Sequence, residues 1–364
     1  MNPMKEEVSV YLDAVRFAAA LLVFFSHFAL KHISGGFIWQ INAYGHEAVT
    51  VFFVLSGFVI AYATDTRERT PGAYAVSRAA RMYSVAVPAV LLTVVLDQIG
   101  SHLRPDLYTA AWGYHEDLDF LRFFSALTYT NEIWWLHVGQ GSNAAYWSMG
   151  YEVPYYLVFG LALYAPPRWR KGAVALALLA LGPAIVVSLP IWLLGVATYR
   201  YLKQNTVSPR QGLQLFCGSM LLWLAYQCVT WVLGRPMVEG DNLFRRHEVL
   251  QDYFIAAFFV LNLIGFSAAA TRLGPPLMRY RRQVRWLAGA TFTLYLCHLP
   301  IAQFLVACMP WPAADWRSRV LVFSGTLVAV FVLAEFTEKR KQGWRRAFEA
   351  LGRTLSRQPR QAPR

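Results

Sequence analysis

Three ionisable residues, Asp13, Arg16 and His27, lie in the first apolar segment of the sequence. Arg16 and His27 are 11 positions apart, roughly three turns at about 100° per residue, so a helix presents both on one face. An arginine at bilayer depth costs about 2.5–3.5 kcal/mol on insertion scales, so such residues usually mark a functional site. We therefore predict chemistry on this face. The alternative is a helix-end aspartate, a snorkelling arginine and a hydrogen-bonded core histidine.

A carboxylate, Glu152, occurs in a later apolar segment just after Trp147-Ser148. Inside a membrane, an isolated carboxylate is unfavourable unless it has a partner. We predict that Glu152 pairs with His27 in the outer half of the membrane, where a histidine shielded from bulk water can act as a general base. The alternative for Glu152 is a structural hydrogen bond to a backbone interrupted by Pro154.

A second intramembrane histidine, His298, lies near the end of the chain with Tyr295 one turn before it. The spacing of three residues places both side chains on one helical face. Pro300 has no backbone N–H, so it leaves the carbonyl of Leu296 without its helical partner. The residues indicate either a second functional group or a hydrogen-bonded core histidine.

Two arginines, Arg78 and Arg81, lie on one helical face close to the predicted start of the third span. Guanidinium groups at a helix N-terminus make a good phosphate clamp. The alternative is the ordinary basic charge of a cytoplasmic loop. In the second span, Gly57 beside Ser56 indicates a place where another helix backbone approaches closely, for packing or for a site.

The composition is that of an integral membrane protein with several spans. Of the 364 residues, 56% are hydrophobic and only 15% are charged, against about 25% charged in ordinary soluble chains. The net charge of +13 is explained by basic cytoplasmic loops, so nucleic acid is not predicted as a partner. The four cysteines lie in apolar segments without metal-ligand spacing, and no metal site is predicted.

The hydropathy pattern predicts an all-α, polytopic fold of about ten transmembrane helices. The stretch 172–203 is too long for one span, and Gly182-Pro183 and Pro190 divide it into two short spans. The predicted spans are 11–31, 46–64, 82–100, 144–165, 172–187, 190–203, 212–234, 250–270, 286–309 and 318–338.

Lysine and arginine counts predict the orientation of these spans. With the N-terminus inside, the inner segments hold 25 basic residues and the outer segments hold 8. This bias predicts that the N- and C-termini are both cytoplasmic. We divide the chain into a transmembrane domain, 1–338, and a basic cytoplasmic tail, 339–364, expected to form a short helix followed by a disordered end on anionic headgroups.

The motifs resemble those of the membrane acyltransferase-3 family, whose O-acetyltransferases modify cell-surface glycans. The matches are in order and span almost the whole chain, although the proline that commonly follows the last motif is absent. In chain order they are Leu12-Asp13-Ala-Val-Arg16 with His27, Phe52-Phe-Val-Leu-Ser56-Gly57-Phe58, Arg78-x-x-Arg81, Trp147-Ser148 with Glu152, Thr293-Leu-Tyr295-Leu-Cys-His298 and Glu338-Lys339.

The resemblance implies acetyl-CoA, or another acyl-CoA, as a cytoplasmic co-substrate, with no bound cofactor. It implies His27 as the catalytic base or a transient acyl carrier, with Glu152 beside it. Arg16, Arg78 and Arg81 would bind the donor. On the acceptor side it implies Tyr151, Tyr295 and His298, while Asp13, Ser56, Gly57, Trp147 and Ser148 are structural candidates without an assigned role.

The sequence thus predicts a membrane O-acyltransferase of the bacterial inner membrane, with membrane lipids, acyl-CoA and a polysaccharide or glycolipid acceptor as partners. An oligomer is compatible with the sequence. The alternatives are a glycolipid transporter or flippase, and an acyltransferase with a small-molecule acceptor.

Overall fold

The computed structural model describes residues 4–109, 114, 119–235 and 248–356, and within these ranges the regular secondary structure is helical. The α-helices, in chain order, are α1 (Glu6–Phe28), α2 (Lys31–Ser34), α3 (Tyr44–Thr66), α4 (Pro71–Leu103), α5 (Asp119–Thr128), α6 (Met149–Tyr164), α7 (Pro167–Leu181), α8 (Pro183–Gln204), α9 (Pro209–Leu233), α10 (Val249–Ala268), α11 (Ala270–Arg279), α12 (Arg281–Ala288), α13 (Thr291–Cys308), α14 (Trp316–Phe336) and α15 (Lys341–Ser356).

The all-α polytopic fold is confirmed, and the apolar segments of the sequence fall on long helices. The predicted spans 172–187 and 190–203 are misplaced, because α7 ends at Leu181 and α8 runs from Pro183 to Gln204. Among the described residues, eight helices are long and apolar enough to cross a membrane. The other two, α6 and α7, have 16 and 15 residues, and they follow each other as a short antiparallel pair. At 1.5 Å per residue each is about 24 Å long, less than the hydrocarbon thickness of a bilayer.

The chain between α7 and α8 is interrupted once, at Gly182, whose φ of +88° lies in the region that favours glycine. Pro183 then starts α8. The prediction that Pro190 also breaks the chain is wrong, because Pro190 lies inside α8. The hydroxyl of Tyr253 on α10 donates a 2.7 Å hydrogen bond to the carbonyl of Val187, so a neighbouring helix satisfies polar backbone near the proline.

Two glycines allow α3 and α8 to cross in direct backbone contact. A Cβ atom on Gly57 would lie 2.0 Å from the carbonyl oxygen of Trp192, and one on Gly195 would lie 2.0 Å from that of Val54. Small residues that permit such approach are typical of helix interfaces in membranes. The close approach predicted at Gly57 is therefore confirmed, with α8 as the partner.

The centre of the bundle is α13, which packs against α1, α4 and α14. Of its most apolar 18-residue window, 78% is buried inside the protein, against 11% for α9 at the periphery. A helix that is apolar all round and buried by its neighbours belongs in the core, whereas α9 presents its apolar surface outward, where a bilayer would cover it. Polar groups on α13 are therefore enclosed by protein.

A segment that precedes α6, residues 129–148 (the inserted segment), enters the bundle instead of remaining on the outer surface. Its residues Asn131, Asn143, Tyr146 and Ser148 are buried. The side-chain amide of Asn143 donates a 2.8 Å hydrogen bond to the carbonyl of Leu296 on α13. This is the carbonyl that Pro300 was predicted to free, so the inserted segment supplies the donor that the helix lacks.

Candidate active site

His27 of α1 and His298 of α13 form a hydrogen-bonded pair of imidazoles. The Nδ1 atom of His27 lies 2.8 Å from Nε2 of His298, and Nδ1 of His298 lies 2.7 Å from the carbonyl oxygen of Leu294. Since a carbonyl only accepts, Nδ1 of His298 carries a hydrogen, and in the neutral ring Nε2 is then an acceptor. His27 therefore donates from Nδ1, and the lone pair of its Nε2 remains available.

Aromatic side chains surround the histidine pair. The two imidazole rings stack at 5.1 Å, and Phe24 meets His298 edge to face at 5.8 Å. Phe323 of α14 packs against Phe24 at 5.3 Å. His298 is fully buried, while His27 is partly accessible. The surroundings therefore shield His298 fully and His27 in part.

The predicted pairing of Glu152 with His27 is wrong. Glu152 Oε1 accepts a 2.8 Å hydrogen bond from the Ser56 hydroxyl and another from the Tyr156 hydroxyl, and Trp192 Nε1 donates to Ser56 at 3.2 Å. The alternative prediction, a hydrogen bond from Glu152 to the backbone near Pro154, is also wrong, because both partners are side chains. The reason is position along the helices: Glu152 meets Ser56 in the middle of α3, whereas His27 lies in the last turn of α1.

Glu152 lines a narrow cavity of about 60 Å³ together with Arg16, Arg78, Arg81 and Tyr295. The sequence placed the carboxylate and the arginines on opposite sides of the membrane. The structure brings them to one cavity, and the charges of Glu152 and Arg81 interact across it.

The arginines at this cavity are positioned by different contacts. Arg16 is paired with Asp13 on its own helix, so Asp13, which had no assigned role, holds the Arg16 side chain. Arg78 forms a 2.6 Å ion pair with Glu68. The guanidinium group of Arg81 makes no ion pair with a described residue, although its backbone carbonyl accepts a 3.1 Å hydrogen bond from the Ser84 hydroxyl.

The paired arginines do not lie at a helix N-terminus as predicted. Thr70 caps α4 and Pro71 begins it, so Arg78 and Arg81 are already in its second and third turns. The dipole argument for a phosphate clamp therefore fails for this pair. Arg78 and Arg81 still place positive charge in the wall of the narrow cavity.

Tyr295 and Ser148 are joined by a 2.7 Å hydrogen bond between their hydroxyl groups, and Tyr295 also donates to the carbonyl of Ala145. Both residues line the narrow cavity. Tyr295 therefore fixes the end of the inserted segment to α13 one turn from His298. The sequence did not predict the role of Asn143. Pro300 indicated only that the carbonyl of Leu296 needs a donor, which Asn143 supplies.

The aromatic candidates Trp147 and Tyr151 pack away from the arginines, towards the predicted outer side. The indole of Trp147 stacks on the imidazole of His46 at 5.9 Å with an interplanar angle of 10°, and it meets Tyr151 edge to face at 5.3 Å. Tyr151 also contacts Phe53. These contacts build an aromatic layer around the first turn of α6.

A further residue, Glu338, sits at the start of α13. Its Oε2 atom accepts hydrogen bonds from the backbone N–H groups of Phe292 at 2.9 Å and Thr293 at 3.3 Å. These are helix N-terminal donors without a partner inside the helix, and a carboxylate there is also favoured by the helix dipole. Glu338 thereby fixes the helix that carries Tyr295 and His298.

Beside the narrow cavity lies a wider one of about 580 Å³, which we call the basic vestibule. The two cavities are adjacent, because both are lined by Leu12, Arg16, Val59, Arg78 and Arg81. The vestibule lies at the end of the bundle that holds the start of α1 and the start of α15. In the part of the chain that the structure describes, no group of three potential metal ligands occurs.

A bundle of apolar helices that encloses ionisable groups beside a basic vestibule defines a multi-pass membrane protein. The chain belongs to the acyltransferase-3 family: the family model, described as an acyltransferase domain, matches residues 9–335. The protein is thus a membrane acyltransferase, and the resemblance drawn from its motifs is confirmed.

The chain is similar to the exopolysaccharide production protein ExoZ of Rhizobium meliloti (strain 1021), with 33% identity over 137 residues. The matched part is 38% of this chain and 40% of that protein, so the chain spans less than half the length of this relative. No solved structure matches the chain.

Proposed function

We propose that the protein transfers an acetyl group from cytoplasmic acetyl-CoA to a hydroxyl group of a polysaccharide or glycolipid outside the bacterial inner membrane. The observation that carries this proposal is the pair of His27 and His298, in which the hydrogen-bond pattern leaves Nε2 of His27 as an acceptor. The similarity to ExoZ, an exopolysaccharide production protein, supports the acceptor class.

In the proposed reaction, Nε2 of His27 takes the proton of the acceptor hydroxyl while its oxygen attacks the thioester carbonyl. The carbon–sulfur bond breaks, CoA leaves as a thiolate, and the proton on His27 neutralises that thiolate. While His27 is protonated, its Nδ1–H still donates to His298, whose own Nδ1–H donates to Leu294. His298 is therefore proposed as a positioning residue.

The donor is proposed to enter through the basic vestibule, with Arg16, Arg78 and Arg81 attracting its phosphates. The thin acyl-pantetheine arm would then occupy the narrow cavity beside Glu152 and Tyr295. Because Glu152 holds the hydroxyls of Ser56 and Tyr156, we propose that it shapes this passage instead of activating His27.

The first test is His27→Ala in purified protein reconstituted with acetyl-CoA and polysaccharide. We expect CoA release and O-acetyl signals in the glycan to fall by about 100-fold or more, since general base catalysis contributes about 10²–10⁴-fold. The matched control is His102→Ala, an exposed histidine near the end of α4, which we expect to keep normal activity.

Normal glycan O-acetylation by His27→Ala would contradict the proposed base. Movement of a labelled glycolipid across the membrane without any CoA release would identify a flippase instead. CoA release that requires a small molecule, and does not occur with a glycan, would show that the acceptor is a small molecule.

A further inference from the structure

The C-terminal helix α15 forms part of the wall of the basic vestibule. Lys341, Gln342 and Arg345, from its first two turns, line the same cavity as the arginines of α1 and α4. Lys341 and Arg345 are four residues apart and so share a helical face. The expectation from sequence was a tail lying on lipid headgroups, whereas the structure places these residues at the cavity.

Packing fixes the orientation of α15. The ring of Phe348 lies 5.9 Å from that of Tyr83 on α4, and Trp344 packs on Phe348. The preceding short turn, Glu338–Arg340, is held by the bonds of Glu338 to the start of α13. The contact of Phe348 with α4 and the bonds of Glu338 before the helix therefore fix the direction in which the face with Lys341 and Arg345 points.

The lining of the vestibule carries more positive than negative side chains. Its lining includes six basic side chains, from Arg16, Arg67, Arg78, Arg81, Lys341 and Arg345. Its two acidic side chains, Asp13 and Glu68, are engaged by Arg16 and Arg78.

Four of the basic groups have no carboxylate partner in the vestibule. Arg67, Arg81 and Lys341 make no ion pair with the described residues, and Arg345 pairs only with Glu349 on its own helix at 2.9 Å. Partial burial and the charges of Arg81 and Arg16 lower the pKa of Lys341, and the carboxylates of Glu338 and Asp13 oppose this only in part. Like charges held around one cavity are unfavourable unless a bound anion relieves them, so the site fits a ligand with several negative charges.

The shape of the two cavities separates the parts of such a ligand. The wide vestibule, of about 580 Å³, has room for a bulky polyanionic group, and the narrow cavity of about 60 Å³ beyond it suits a thin uncharged chain. A nucleotide with a diphosphate, a further phosphate and a thin thioester arm matches these two cavities, with its phosphates in the vestibule and its arm in the narrow cavity.

We infer that Lys341 and Arg345 of α15, together with Arg67 at the end of α3, bind the phosphates of the nucleotide end of coenzyme A, a role that rests on the proposed function. The C-terminal helix is then part of the donor site. Arg78 and Arg81 lie deeper, where they face the diphosphate and the start of the arm, while α15 faces the 3′-phosphate at the rim.

The test compares two double variants of the full chain in detergent or nanodiscs. Lys341→Ala with Arg345→Ala removes the rim charges, and Arg346→Ala with Arg353→Ala removes as many charges from residues of the same helix that do not line the vestibule. Binding is measured by calorimetry with CoA and with 3′-dephospho-CoA as probes.

We expect the rim variant to bind CoA about 10- to 100-fold more weakly than the unmodified protein, less than the loss of two buried charged contacts because Lys341 and Arg345 are exposed. We expect a much smaller loss for 3′-dephospho-CoA, and a change within about twofold for the control variant. The charge-conserving variant, Lys341→Arg with Arg345→Lys, shows whether the helix still folds, and it should keep most of the CoA affinity.

Unchanged CoA affinity in the rim variant, or an equal loss in the control variant, overturns the inference while the proposed function stands. An equal loss for both probes also overturns the assignment to the 3′-phosphate. If the unmodified protein binds neither probe, the donor in the proposed function fails, and the inference fails with it.

Discussion

The position of the hydrogen on the His27 imidazole depends on the carbonyl of Leu294, which is linked to it through two successive hydrogen bonds. The carbonyl of Leu294 can only accept, so it fixes the hydrogen on Nδ1 of His298, and His298 in turn fixes the hydrogen on Nδ1 of His27. Without His298, His27 could place its hydrogen on Nε2, which is the atom that must accept a proton in the proposed reaction. The reactive state of His27 is therefore a property of the pair.

We expect His298→Ala to lower kcat by about 10- to 100-fold, the range found when a group that orients a functional histidine is removed. The KM for acetyl-CoA should change by less than about twofold, because His298 does not line the basic vestibule. His298→Gln should recover part of the loss, since its amide oxygen can accept the same hydrogen bond. Steady-state kinetics check this, and a loss confined to KM would contradict it.

The crossing of α3 and α8 supports the site through backbone contact. Gly57 lies against the carbonyl of Trp192, and Ser56, its neighbour, takes part in the hydrogen bonds of Glu152 and Trp192. The distance between the two helices therefore sets the geometry of the narrow cavity. A side chain at this crossing would separate both the helices and the polar groups.

We expect Gly57→Ala to destabilise the protein by about 1–3 kcal/mol, as added atoms in a filled interior usually do. Gly218→Ala is the matched control: no atom lies within 4 Å of its Cβ position on the exposed helix α9, so the change should be neutral or slightly stabilising. Thermal unfolding in detergent, followed by tryptophan fluorescence, measures both. An equal or higher stability of Gly57→Ala would show that the crossing can relax.

The inserted segment and α13 depend on each other. Pro300 removes one backbone bond from α13, and Asn143 replaces it from outside the helix. Glu338 satisfies the donors at the other end of α13. The backbone of this central helix is thus satisfied by residues far away in sequence. This explains how α13 accommodates a proline two residues after His298.

Lysine and arginine are concentrated in the segments at one end of the helical bundle, and the basic vestibule lies at that end. The residues around it, from the start of α1 to the start of α15, include segments that the lysine and arginine count places in the cytoplasm. This orientation would give the vestibule access to cytoplasmic acyl-CoA, and would place His27 further towards the other side.

We expect green fluorescent protein fused after α15 to fluoresce in bacterial cells, and alkaline phosphatase fused at the same place to be inactive, because the C-terminus is predicted to be cytoplasmic. A phosphatase fused between α13 and α14, near Pro310, should be active. The reverse pattern would place the basic vestibule outside and would remove its access to the proposed donor.

The sequence by itself determined what depends on local order: the ten apolar segments, the basic asymmetry, the family motifs, and the polar groups at His27, Arg16, Glu152 and His298 that no apolar helix needs. Periodicity and composition act over one helix, so one chain suffices to see them. The tertiary structure alone decided which groups meet. His27 pairs with His298 and not Glu152, and α15 joins the vestibule, because helix depth and rotation are set by packing between distant segments.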